Sequence, residues 1–137
     1  DFIIVDMPPG TGDTQLTFSQ EIKMDGAIIV STPQEVALLD VKRGIKMFDK
    51  LGVKILGLVD NMSFFNGDDG KRYKIFGEGG VKKTAEEFQK KFLGEIPINP
   101  EVGKCGDEGK PIVEANPDHE ISKIFIDFAK QIKSTYL

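Results

Sequence analysis

Asp1-Phe2-Ile3-Ile4-Val5-Asp6-Met7-Pro8-Pro9-Gly10-Thr11-Gly12-Asp13 opens the chain, and its reading decides the fold. The run from Phe2 to Val5 has no polar alternation, the pattern of a strand buried on both faces, as in central parallel strands flanked by helices. Asp6 then falls at the strand's carboxyl end, where open α/β sheets place their ligands. An acid at that point is placed to hold a water of hydrated Mg²⁺ beside a nucleotide phosphate. Pro8 and Pro9 stop the strand. Gly10 and Gly12 let the backbone approach a phosphate, so the turn is able to report a γ-phosphate. An apolar strand ending in Asp is also common without any such task, so the remaining sequence has to decide.

Three more apolar runs follow, at residues 27–30, 54–61 and 92–96, separated mostly by helical patterns. That alternation describes right-handed βαβ crossovers: an α/β fold with a mainly parallel sheet flanked by helices. Asp13 is expected to cap a helix reaching about Ile22, with Leu16 and residues 19–20 turned inward. Thr32-Pro33-Gln34-Glu35 has the form of a capping box with proline at the first helical position, opening a helix over 33–50. Leu38, Val41, Ile45 and Phe48 recur on it at helical spacing, and Gly52 closes it. Residues 64–76 read as a short hairpin with aromatics on both arms and a tight turn at Asn66-Gly67-Asp68-Asp69-Gly70. A helix with Val81, Ala85, Phe88 and Phe92 on one face comes next. The stretch 97–111 is expected to be a loop. A last helix opens at Asp118 with a stripe of Ile121, Ile124, Phe125, Phe128, Ala129 and Ile132.

At 137 residues with 39% hydrophobic content, the chain holds one domain's worth of core, here taken as a single partial domain. The 18 basic and 22 acidic residues give a formal charge of -4, and the basic ones are scattered, so no nucleic-acid surface is indicated. A single cysteine excludes an internal disulfide framework and fits a reducing compartment. With no signal peptide and no membrane-length apolar run, the expected location is the cytoplasm. No lysine-bearing glycine loop of the form GxxxxGK(S/T) occurs at any position. Lacking those amides and that lysine, these residues alone are expected neither to bind ATP tightly nor to hydrolyse it.

Asn61 ends the third apolar run with an amide able to pair with the N6/N7 edge of adenine, although asparagine is equally a turn residue satisfying local backbone. Cys105, among glycines and beside Lys104, reads as an incidental thiol or as a metal ligand paired with its copy in a second subunit. His119 has no cysteine or second histidine for company, which points to a surface role. The last helix either covers the sheet or, with Lys123, Lys130 and Lys133, lies on a membrane; the need of the sheet for a cover favours the first.

Asp6-Met7-Pro8-Pro9-Gly10-Thr11-Gly12-Asp13 resembles the Walker B and switch II segment of the Mrp family of P-loop ATPases, relatives of the MinD/ParA proteins. The likeness continues through Ser31-Thr32-Pro33-Gln34, Asn61-Met62-Ser63, Ile75-Phe76-Gly77, Gly94-Glu95-Ile96-Pro97 and Gly109-Lys110-Pro111-Ile112-Val113. It implies an ATP-dependent iron-sulfur cluster carrier or assembly factor in which Mg²⁺ and ATP control a homodimer that serves apo acceptor proteins. In that scheme Asp6 holds the Mg²⁺ shell. Gly10, Thr11, Gly12 and Asp13 respond to the γ-phosphate, with Asp13 orienting the attacking water, while Asn61 and Pro97 seat the adenine. The resemblance also places the glycine loop on an earlier strand, so the chain is expected to be the C-terminal portion of a longer domain. Many Mrp-like proteins carry a CxxC pair in the hairpin to ligate a shared [4Fe-4S] cluster. Here that segment has no cysteine, and Asp68 and Asp69 are hard ligands suited to turns rather than to iron-sulfur chemistry. Two other readings stand beside the carrier: a MinD/ParA-like switch that positions a partner without a cluster, and a pseudo-ATPase scaffold.

Overall fold

A computed structural model describes residues 2–8 and 12–136. The sheet has three parallel strands: β1 (Ala27–Ser31), β2 (Ile55–Asn66) and β4 (Phe92–Ile98), with β2 in the middle. A two-residue β3 (Arg72–Tyr73) folds back antiparallel on the end of β2. Helices α1 (Asp13–Glu21), α2 (Glu35–Lys50), α3 (Gly80–Glu87), α4 (Pro100–Asp107), α5 (Ile112–Ala115) and α6 (Glu120–Lys133) complete the order.

The two crossovers, β1-α2-β2 and β2-α3-β4, lay α2 and α3 on one face. There Val41, Ile45, Ile55, Leu58, Val81 and Ala85 are buried together, with Leu38, Phe48 and Phe88 packed against them. The stripe read from the sequence is thus the stripe that packs. On the opposite face Val59, Leu93, Ile96, Cys105, Ile112, Ile121 and Phe128 form a second core under α4, α5 and α6. Helix α6 is therefore a sheet cover. Among the described residues no helix is long and apolar enough to cross a membrane.

The opening run departs from its expected place. Residues 2–5 are outside the sheet, with Ile3 92% and Ile4 82% exposed. A strand draws its backbone bonds from its neighbours, and none of the described strands pairs with this segment. Among the described residues Phe2 meets the Tyr136 ring edge-on at 6.2 Å, while the Tyr136 hydroxyl donates to the Asp25 carbonyl. Strand β1 shows the matching gap: Ile28 and Val30 are exposed, and only its β2 side is paired.

Helix boundaries shift for local reasons. Gly12, extended at φ -76 and ψ 178, is the cap of α1, so Asp13 is the first helical residue and no side chain caps the end. No residue of α1 is fully buried and Leu16 is exposed, which corrects the inward position expected of Leu16, whereas Ser19 is half-buried with its hydroxyl out of solvent. Helix α2 begins two residues later than expected, after Gln34, because Thr32 Oγ1 donates to the Gln34 side chain at 3.2 Å instead of closing a box with Glu35. Gly52 does close α2 in the left-handed region, at φ +70. The segment 97–111, expected to be a loop, holds α4: Asn99 accepts from the Glu101 N–H at 2.9 Å and Pro100 occupies the first turn. Helix α6 starts at Glu120, capped by His119, whose Nδ1 accepts from the Ile121 N–H at 3.1 Å. The lone histidine thus has a structural post.

Gly80 fastens α3 to the start of α2. A Cβ there would lie 2.6 Å from Leu38 Cδ1 and 2.9 Å from the Pro33 carbonyl oxygen. Gly80→Ala is expected to lower stability by about 1–2 kcal/mol, read from the urea midpoint. Since alanine is otherwise the better helix former, a gain in stability would show that this seat is loose.

Candidate functional site

The parallel strands end together at one edge of the sheet, and the residues singled out from the sequence collect there in part. Strand β2 does not stop at Asn61. It runs on to Asn66 through Met62, which takes φ +54; the pairing with β4 shifts register there and resumes at Phe65 and Ile98, and the end of the strand forms one arm of the hairpin. Asn61 is half-buried and pairs in register with Ile96 on β4, so buried Pro97 follows directly beside it. Ser63 uses its hydroxyl to hold the Ile96 carbonyl at 3.2 Å, which ties the two strand ends. Asn61 makes no side-chain hydrogen bond among the described residues, leaving its donor and acceptor for a ligand. Asn99 and α4 continue the chain from Pro97.

The switch segment forms a second group. Asp6 and Asp13 are both exposed, and Gln15 Nε2 donates to the Pro8 carbonyl, joining the start of α1 to the end of the opening run. Gly10 and Thr11 lie outside the described residues; Gly12 is described as the exposed cap of α1. An exposed carboxylate at Asp6 keeps its oxygens available for a hydrated cation.

The hairpin is built as expected. Asp69 accepts from the Tyr73 hydroxyl at 2.8 Å and from the Lys71 N–H at 3.1 Å, and these bonds hold its carboxyl below the usual range. It is a turn former. Arg72 stands over the Phe64 ring at 4.4 Å, packing one arm on the other.

Cys105 is 5% exposed, inside the α4 to α6 core rather than on a loop, so its thiol is not presented to a second subunit. It borders an apolar cleft of about 410 Å³ with Val102, Pro111, Ile112, Val113 and Phe125. Among the described residues no three of His, Cys, Asp and Glu gather to hold a metal.

Sequence reading missed Asp60. It is 1% exposed, and neither carboxylate oxygen has a hydrogen-bond partner. Burial pushes its carboxyl up to about 6, with the neighbouring Glu95 carboxylate adding to the rise and Lys74 opposing it. The signal was an acid inside the apolar run Leu58-Val59-Asp60, which reads as a strand end only if β2 stops there.

A family model described as ParA: NUBPL iron-transfer P-loop NTPase matches residues 1–133. The iron-sulfur cluster carrier protein of Aquifex aeolicus is 46% identical over 131 residues, covering 95% of this chain and 36% of that protein. The iron-sulfur protein required for NADH dehydrogenase of Arabidopsis thaliana mitochondria is 48% identical over 133 residues, covering 96% of the chain and 42% of that protein. The chain therefore spans about two fifths of the relatives it matches. Among solved structures, a nucleotide-binding protein of Archaeoglobus fulgidus in complex with ADP superposes with a TM-score of 0.70 at 40% identity, over 82% of this chain and 46% of that one. The cell division ATPase MinD of Pyrococcus furiosus shares the fold, with a TM-score of 0.73 at 24% identity over 98% of this chain and 52% of that one. By a match that runs through the switch segment, the three parallel strands and α6, the chain belongs to the NUBPL iron-transfer family of ParA-type P-loop NTPases.

Proposed function

We propose that the protein carrying this chain is an ATP-dependent iron-sulfur cluster carrier that loads apo acceptor proteins and works as a homodimer. The observation that supports it most is the collinear match over residues 1–133 to a family described by iron transfer, with relatives named as cluster carriers. The chain contributes one wall of the nucleotide site. Asn61, its amide unspent, and Pro97 beside it seat the adenine. Asp6 keeps a water of the Mg²⁺ shell in place, and the turn from Gly10 to Asp13 moves with the γ-phosphate. When bound, Mg²⁺ neutralises charge on the phosphates. The lysine-bearing glycine loop belongs to the part of the protein that precedes this chain, together with the strand that pairs the open edge of β1. Residues 1–137 are then the C-terminal portion of the NTPase domain, working in the cytoplasm.

The cluster is cargo, and its ligands are not supplied here. The hairpin has no thiol and Cys105 is packed in a core. Thiolates from another part of the protein must hold the cluster. The thiol-free hairpin also favours a second reading, a nucleotide switch that positions a partner and carries nothing. Anaerobic reconstitution of the full-length protein with ferrous iron and sulfide separates the two. The carrier is expected to turn brown and to pass its cluster to an apo ferredoxin, whereas a pure switch stays colourless and leaves the acceptor inactive.

A further inference from the structure

Proline cannot donate to a sheet ladder, and β4 places one, Pro97, between two residues that pair with β2. Asn61 pairs with Ile96 and Phe65 with Ile98, so Met62, Ser63 and Phe64 on β2 share the interval that Pro97 alone fills on β4. The register shift falls where Met62 turns to φ +54, a left-handed backbone that a non-glycine residue keeps only when its surroundings hold it there.

A side chain bridges this interval. Ser63, 2% exposed, donates its hydroxyl to the Ile96 carbonyl at 3.2 Å. That carbonyl belongs to the peptide joining Ile96 to Pro97, and the donor stands two residues beyond Asn61. One buried bond therefore continues the tie between the strands past the Asn61–Ile96 pair, on the two segments that carry the proposed adenine contacts. Asn61 depends on such a tie. With its amide unspent, it is held through its backbone, and the backbone that follows it is the left-handed step at Met62.

Adenine presents a donor at N6 beside an acceptor at N7, whereas guanine presents two acceptors, O6 and N7. An amide held in one place accepts from N6 and donates to N7, a pairing that only adenine completes. A loosely placed amide reaches either purine through a single bond and discriminates poorly. We propose, on the adenine seat put forward above, that Ser63 is its positioning residue: by holding the Ile96–Pro97 peptide against the bend of β2 after Asn61, its hydroxyl makes the seat select adenine over guanine. Ser63 is buried and touches no nucleotide; it acts through Asn61 and Pro97.

The test is equilibrium binding of ADP and of GDP to the full-length protein, read by isothermal titration. Wild type is expected to favour ADP. In Ser63→Ala the ADP dissociation constant should rise about five- to tenfold, the worth of one aligned hydrogen bond, while the GDP constant moves less than about twofold. Ser63→Thr keeps the hydroxyl and should keep the preference. Equal losses for the two nucleotides in Ser63→Ala would make the bond a structural tie only, and an unchanged ADP constant would leave Ser63 without a part in the seat. Either result overturns the inference, as does a loss in Ser63→Thr as large as that in Ser63→Ala. Asn61→Ala separates this role from the seat itself. If Asn61→Ala loses the preference while Ser63→Ala keeps it, the seat stands and the role of Ser63 falls. If wild type shows no preference, or Asn61→Ala retains it, the seat falls and takes this inference with it.

Discussion

Leu58→Ala is expected to cost about 3–4 kcal/mol of stability in the chain, the largest loss from a single truncation in its sheet. Leu58 is 0% exposed on the central strand, enclosed by Ile45 of α2 and by Val81 and Ala85 of α3. Those helices are held by their crossovers and cannot settle into the space, so the transfer loss is joined by the energy of a cavity. Val30→Ala removes a similar group from β1, yet Val30 is 58% exposed and loses little packing. Its cost should stay within about 0.5 kcal/mol in the isolated chain. Urea melts of both variants give the comparison. In the full-length protein the Val30 cost should rise toward that of a core residue, because the proposed preceding strand and its flanking helix would cover that face. Equal costs for Val30→Ala in the two settings would leave the exposed face of β1 without that cover.

The contrast between these two positions also explains what could be read from the sequence. Runs 27–30 and 92–96 became strands, and the α2 stripe became a packed face, because the partners that satisfy them lie within the same 137 residues. The run 2–5 carries as strong a pattern, but a strand is completed by its neighbours and the described strands offer it none. Helix α4 was hidden for a different reason. Gly103 and Gly106 lower its propensity, whereas Asn99 and Pro100 supply a cap and a first turn that a reading weighted toward glycine as loop former passes over. At the site, Asn61 and Pro97 could be chosen singly, but their adjacency comes from the pairing of Asn61 with Ile96, a long-range register. Asp60 was legible as an anomaly and not as an orphan, since burial and missing partners are properties of the fold around it.

Asp6→Asn in the full-length protein is expected to lower ATP turnover by about 10²–10³-fold while leaving metal-free nucleotide binding nearly unchanged. In the proposed site the Asp6 carboxylate would not contact the nucleotide; its charge would hold the hydrated Mg²⁺ in position, and asparagine preserves size and hydrogen bonding but removes that charge. A loss of about 3–4 kcal/mol of transition-state stabilisation, as for other fixed electrostatic groups, corresponds to the stated range. Raising Mg²⁺ should recover part of the turnover, which separates a metal defect from a misfolded switch turn. Gln15→Ala supplies the second comparison, because it frees the Pro8 carbonyl without touching the charge. That variant should change the Mg²⁺ dependence little and slow turnover only modestly. Wild-type turnover in Asp6→Asn, within a factor of about three, would take the metal role away from this residue. If cluster transfer in Asp6→Asn then persists while hydrolysis is lost, turnover resets the carrier; if transfer stops as well, turnover drives the release.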